Sequence, residues 1–136
     1  MLRGQAVNHQ NTRPFQVDWS TGVSGNTKNG DMSQASITSS VTNLAGLRNV
    51  SYQLKWTGGT GTISIQVSNN YDPHLATGDW EPLDSSSFSP ALSQPAGSAG
   101  SQFIEIPDID AEWIRVKYTR TGGSGTLTGW VKAKGG

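Results

Sequence analysis

Apolar residues in this chain recur at every second position in four stretches, and polar residues largely fill the places between them. Val50, Tyr52, Leu54 and Trp56 alternate with Ser51, Gln53, Lys55 and Thr57, and Ile63, Ile65 and Val67 alternate with Ser64, Gln66 and Ser68. Ile114, Val116 and Tyr118 alternate with Trp113, Arg115 and Lys117, while Leu127, Gly129, Val131 and Ala133 take alternate positions of the last stretch. A period of two marks a strand with one buried face. Gly58-Gly59-Thr60-Gly61 joins the first pair and Thr121-Gly122-Gly123-Ser124 the second, which predicts two hairpins. With Gly59-Thr60 as a two-residue loop, Trp56 faces Ile63, Leu54 faces Ile65 and Tyr52 faces Val67. With Gly122-Gly123 as the other loop, Tyr118 faces Leu127, Val116 faces Gly129 and Ile114 faces Val131. A valine opposite a glycine implies that something large packs over the gap.

Shorter signals fill the rest. Ile37 to Val41 reads as a strand, Trp80-Glu81-Pro82-Leu83 as an edge piece, and Phe103, Ile104 and Ile106 as a strand stopped by Pro107. Residues 84–101, rich in Ser, Pro, Ala and Gly, predict an exposed loop. Residues 1–33 are polar and predict an extended N-terminal arm preceding a sandwich domain at 34–136. The arm's one apolar island is Phe15-Gln16-Val17-Asp18-Trp19, in which Phe15, Val17 and Trp19 share a parity and could dock on a neighbour. Residues 21–30 have no periodicity and read as loop. No segment has helical periodicity. About seven short strands with turns between them predict an all-β fold, an antiparallel β-sandwich or jelly-roll-like domain.

Composition narrows the chemistry. The 136 residues suit one domain, and 33% hydrophobic content with 17 glycines favours short strands over helix bundles. Cysteine is absent, which removes disulfides, thiolate metal sites and cysteine nucleophiles. The first residues lack the apolar stretch of a secretory signal, and no run approaches the ~20 apolar residues that span a bilayer, so a soluble protein made in the cytosol is expected. Asn49-Val50-Ser51 is then a chance sequon. Net charge is zero but unevenly spread: residues 51–110 set one lysine against seven carboxylates, and residues 111–136 set five cations against one carboxylate. A nucleic-acid binder would carry an overall basic excess, whereas opposed patches suit contacts between protein subunits.

Catalytic constellations are not evident. His9 and His74 both fall in loop-like surroundings, and there is no Gly-x-Ser-x-Gly elbow. Asp108 and Asp110, or Asp79 and Glu81, pair carboxylates without fixing a separation, and no stretch follows a calcium-loop pattern. The glycine runs lead into strands and not into the helix that a phosphate loop requires. No enzyme activity, cofactor or metal is expected. The expected interaction surface is instead aromatic. Trp113 and Trp130 fall on the face opposite Ile114 and Val131, with Arg115 across from Trp130, Lys132 across from Trp113, and Lys117 beside them. Such a face can anchor another protein, stack on sugars together with Trp80 or Tyr71, or lie under the arm or a loop.

From Leu44 onward the order of motifs resembles a known class. Leu44-Ala45-Gly46-Leu47-Arg48-Asn49-Val50-Ser51-Tyr52 leads to Trp56-Thr57-Gly58 and Gly61-Thr62-Ile63-Ser64-Ile65-Gln66-Val67-Ser68. Trp80-Glu81-Pro82-Leu83 follows, then Ala111-Glu112-Trp113-Ile114-Arg115-Val116-Lys117-Tyr118, and finally Gly122-Gly123-Ser124-Gly125-Thr126-Leu127 and Lys132-Ala133-Lys134-Gly135. Over residues 35–135 this resembles small β-sandwich structural proteins of tailed bacteriophages, especially capsid decoration (cement) proteins. The resemblance is one of style and strand order, without a diagnostic motif. It implies a homodimer or homotrimer on the outside of the virion that bridges neighbouring copies of the major capsid protein, with no nucleic-acid or membrane partner. A tail or fibre location stays open. The sandwich also resembles carbohydrate-binding modules, which makes a glycan-binding or adhesion module the alternative.

Overall fold

The computed structural model describes residues 13–84, 88 and 91–135. Among the described residues, eleven strands form two antiparallel sheets: β1 (Phe15–Gln16), β2 (Gly22–Val23), β3 (Asn26–Asp31), β4 (Ser36–Thr38), β5 (Thr42–Asn43), β6 (Asn49–Trp56), β7 (Thr60–Ser68), β8 (Glu81–Pro82), β9 (Gly100–Ile106), β10 (Trp113–Gly122) and β11 (Thr126–Lys134). One sheet runs β2-β3-β11-β6-β9 with β1 added on β11, and the other runs β4-β10-β7-β8 with β5 added on β10. The protein is an antiparallel β-sandwich. Its long strands pass back and forth between the sheets, a jelly-roll-like winding.

The alternation in the sequence sets the core. Tyr52, Leu54, Ile63, Ile65, Ile114, Val116, Tyr118 and Leu127 are fully buried, and each large aliphatic side chain so enclosed contributes about 1.5–3 kcal/mol. The two predicted hairpins, however, do not form. Tyr118 lies opposite Ile63 and Val116 opposite Ile65, because β10 pairs with β7. Leu127 lies opposite Trp56 and Val131 opposite Tyr52, because β11 pairs with β6. Each glycine connection therefore crosses from one sheet to the other. The physical reason is that two apolar strand faces can be buried against each other across a sandwich as well as side by side within a sheet.

The connections meet each other, which explains their glycines. A Cβ on Gly58 would lie 2.7 Å from the Ser124 carbonyl oxygen, and one on Gly125 would lie 2.8 Å from the Gly58 nitrogen. Gly59 adopts φ 81°, and a Cβ there would stand 2.9 Å from the Met32 side chain. The amide of Met32 donates to the Gly125 carbonyl at 3.0 Å, which ties residues 31–33 into the same junction.

Residues 13–33 are part of the sandwich and not an appended arm; residues 1–12 lie outside the described residues. Val17 and Trp19 are buried in the core, and β3 pairs with β11 within the stretch expected to be loop. The large group expected over Gly129 exists, but it comes from here: Gly129 sits opposite Leu54, and Val17 and Trp19 approach the position a Cβ would take. Polar contacts fix the segment. Thr27 donates to Asp18 at 2.8 Å and the Lys28 ammonium lies 3.4 Å from the same carboxylate. The hydrogen bond from Thr27 above all, helped by Lys28 and opposed by desolvation, holds the Asp18 carboxyl below its ordinary pKa.

Within 84–101, most of the described residues are exposed, as expected, but the stretch is also anchored to the core. Phe88 and Pro95 are buried, and residues 94–97 run along β7: the Gln94 side chain bonds both backbone groups of Ile63, and the Gly61 amide donates to Pro95. The rest of that stretch (85–87, 89 and 90) lies outside the described residues.

The glycine junction makes a direct prediction. Gly58→Ala, which places a methyl group against a carbonyl, should lower stability by about 1–3 kcal/mol, the usual cost of overpacking. Gly122→Ala, with nothing within 4 Å of the new carbon, should leave it nearly unchanged. Urea unfolding of the two variants measures the difference.

Candidate functional site

Crossing between sheets separates the two tryptophans expected to act together. Trp113 begins β10 in the five-stranded sheet and Trp130 lies on β11 in the six-stranded sheet. Both take the parity opposite the core, so they face outward on opposite sides of the molecule. Arg115 is paired with Gln66, and Lys132 with Ser51. The expected Arg115–Trp130 and Lys132–Trp113 neighbours therefore do not form.

On the five-stranded sheet, Trp113 is covered from within the chain. The Tyr71 ring stands 5.3 Å from Trp113, edge-on at 69°, and 5.4 Å from Trp80. Arg115 caps the row with its guanidinium carbon 4.2 Å from the Trp80 ring centroid, while its Nε donates to Gln66 at 2.8 Å. Partial burial pulls the Arg115 pKa below its ordinary value, opposed by the neighbouring Tyr71. The loop that delivers Tyr71 is braced at its base. Asn70 and Asp79 exchange two bonds of 2.9 Å, and Asp72 and Thr77 bond through their backbones. A Cβ on Gly78 would fall 2.7 Å from the Tyr71 Cα. Trp113, Tyr71 and Trp80 pack against one another, each half-buried, so this patch finds aromatic neighbours within the chain. Lys117 lies farther along β10 between Thr38 and Ser64.

The six-stranded sheet presents the opposite arrangement. The pairing register sets Gln16, Trp130, Gln53 and Phe103 in one row across β1, β11, β6 and β9. Lys132, Ser51 and Glu105 form the next row. Residues directly opposite on antiparallel strands project to the same side, so both rows face outward. Phe103 is 54% exposed, Trp130 is half-buried, and two strand spacings, about 10 Å, separate them. A shallow groove of about 640 Å³ runs over these rows, lined by Trp130, Phe103, Gln53, Ser51, Glu105 and Lys132. That volume lies within the range of ligand clefts.

The remaining expected interaction residues divide. Phe15 is 46% exposed at the edge of β11, whereas Val17 and Trp19 are core residues and present nothing to a partner. Phe103 and Gln53 were missed as site residues. The signal for them was their parity, since each occupies the polar-facing position of a strand whose other face is apolar.

Among the described residues, no three His, Asp or Glu side chains come together in a way that could hold a metal ion. His74 is exposed and its amide donates to Asp72 within the loop; His9 lies outside the described residues. No described helix is long and apolar enough to cross a membrane.

No family model and no curated protein matches the chain. Solved structures do align with it. The SPBc2 prophage-derived protein YomS matches with 11% identity and a TM-score of 0.45, covering 89% of this chain and 96% of that one. A family 29 carbohydrate-binding module matches with 12% identity and a TM-score of 0.42, covering 90% and 93%. The K3 adhesin domain of Lys-gingipain from Porphyromonas gingivalis w83 matches with 9% identity and a TM-score of 0.40, covering 82% and 67%. At such identities and scores the likenesses carry no argument about what this chain does.

The two faces predict different responses to substitution. Arg115→Ala should lower stability by about 0.5–2 kcal/mol, through loss of its contact with Trp80. Lys132→Ala, at an exposed position, should change stability by less than about 0.5 kcal/mol. Chemical denaturation curves of both variants check this.

Proposed function

We propose that the chain is a non-catalytic docking module of a phage particle, a decoration protein that binds the major capsid protein through the outer face of its six-stranded sheet. The observation that carries the reading is the groove: an exposed phenylalanine and a half-buried tryptophan flank Gln53 on rigid strands, with Lys132 and Glu105 at its border. Aromatic anchors on a scaffold of paired strands lose little side-chain freedom on binding, and a polar rim sets orientation. The resemblance of residues 35–135 to tailed-phage structural proteins supports the particle as the setting, with synthesis in the host cytoplasm.

The same row favours a second reading. An indole and a phenyl ring about two strands apart, with an amide between them, offer stacking faces and hydrogen bonds to a neutral oligosaccharide. In that case the protein is an adhesion module at the tail or fibre.

Substitution at Trp130 tests the shared claim and the partner decides between the readings. Trp130→Ala should keep the fold and weaken co-sedimentation with heads assembled without this protein by roughly 30-fold, the scale of a ~2 kcal/mol hot spot. Retention at the wild-type level would remove the groove from the account. A glycan array, followed by titration of hits by tryptophan fluorescence, selects the second reading if sugars bind and heads do not.

A further inference from the structure

We infer that the protein forms a two-fold dimer in which β9 pairs antiparallel with β9 of a second copy, with Phe103 at the axis.

A strand at the end of a sheet exposes unpaired backbone groups, and folded proteins normally shorten, bulge or cover such edges. Three of the four edges here are managed in that way. The flank of β7 is occupied by β8 and by residues 94–97. The flank of β4 is covered by residues 19–20, through the Trp19–Ser39 bridge and the bond from Ser20 to the Thr38 carbonyl. The end strand β2 has two residues and a register shift. β9 is neither shortened nor bulged. It has seven residues, pairs one-for-one with β6 from Gly100 to Ile106 without a bulge, and contains no proline or lysine. Among the described residues, no backbone bond reaches its other flank. The neighbouring segment 91–93 is held by the Gln102 side chain, which donates to Ala91 and accepts from Ser93, and not by the strand's own amides.

The sequence of β9 is suited to meet itself. Antiparallel pairing about Phe103 sets Phe103 on Phe103, Ser101 on Glu105 and Gln102 on Ile104, each of the last two twice by symmetry. The only charged residue of the strand, Glu105, thus meets a hydroxyl and not its own copy, while the exposed phenyl rings cover each other. The pairing would join two six-stranded sheets into one continuous layer. It would also place two grooves end to end, in the order Trp130, Gln53, Phe103, then Phe103, Gln53 and Trp130 of the second copy. The dimer does not depend on what the groove binds; the doubled groove deepens the docking reading.

Sedimentation velocity of the full chain at tens of micromolar, a range in which a specific edge-to-edge dimer should be populated, is the first test. A dimer is expected for the wild type, and a monomer with an unchanged circular dichroism spectrum for Phe103→Lys. Because the chain has no cysteine, Phe103→Cys supplies one thiol, which should form a disulfide-linked dimer on mild oxidation while Lys117→Cys does not. A monomeric wild type would overturn the inference, as would a dimer that survives Phe103→Lys or equal cross-linking of both cysteine variants. Trp130→Ala separates this result from the docking reading, since it should weaken head binding and remain dimeric.

Discussion

The structure depends on the close approach of two glycine connections, Gly58-Gly59 and Gly123 to Gly125, at one end of the sandwich. Each carries the chain from one sheet to the other, and their backbones come within distances that a Cβ would not permit. With that junction in place, β6 and β11 become neighbours in one sheet while β7 and β10 become neighbours in the other. The buried faces of all four then meet in the middle. A larger residue at the junction would push apart the two sheets whose separation defines the core.

The same winding decides what the surface can do. The long strands β6, β7, β9, β10 and β11 alternate between the sheets, so the tryptophans of the last two face opposite sides. Trp113 packs edge-on against Tyr71, which meets Trp80 beneath Arg115, in an aromatic row held by a loop whose carboxylates and amides bond to one another. Trp130 lies over the open groove of the six-stranded sheet, with Gln53 and Phe103 beyond it. One face has satisfied its aromatic residues from within the chain. The other leaves Phe103 exposed and Trp130 half-buried.

Much of the fold was legible as parity. The buried positions of β6, β10 and β11, and Ile63 and Ile65 of β7, follow directly from the alternation of apolar residues, and so does the all-β class. Pairing was not legible, because Trp56 and Ile63 satisfy the same burial whether they sit side by side in a sheet or face each other across a core. Glycine turns were read by their most frequent use, the tight hairpin, when here they serve backbone-to-backbone contact. The place of residues 13–33 was hidden for a different reason. Val17 and Trp19 are isolated apolar residues in a polar stretch, and only the space over Gly129, visible as an oddity in the sequence, pointed to what fills it. Of the site, Trp130 and Lys132 were read as outward-facing, whereas Phe103 and Gln53 gained meaning only once β9 and β11 were known to flank β6.

The central claim is that binding occurs on the six-stranded face and leaves the aromatic stack untouched. Fluorine NMR of the chain labelled with fluorotryptophan reports on all five indoles at once, two of them, Trp19 and Trp56, in the core. On adding heads assembled without this protein, the Trp130 resonance should shift or broaden well before those of Trp80 and Trp113. Selective change at Trp80 and Trp113, with Trp130 unmoved, would contradict the account.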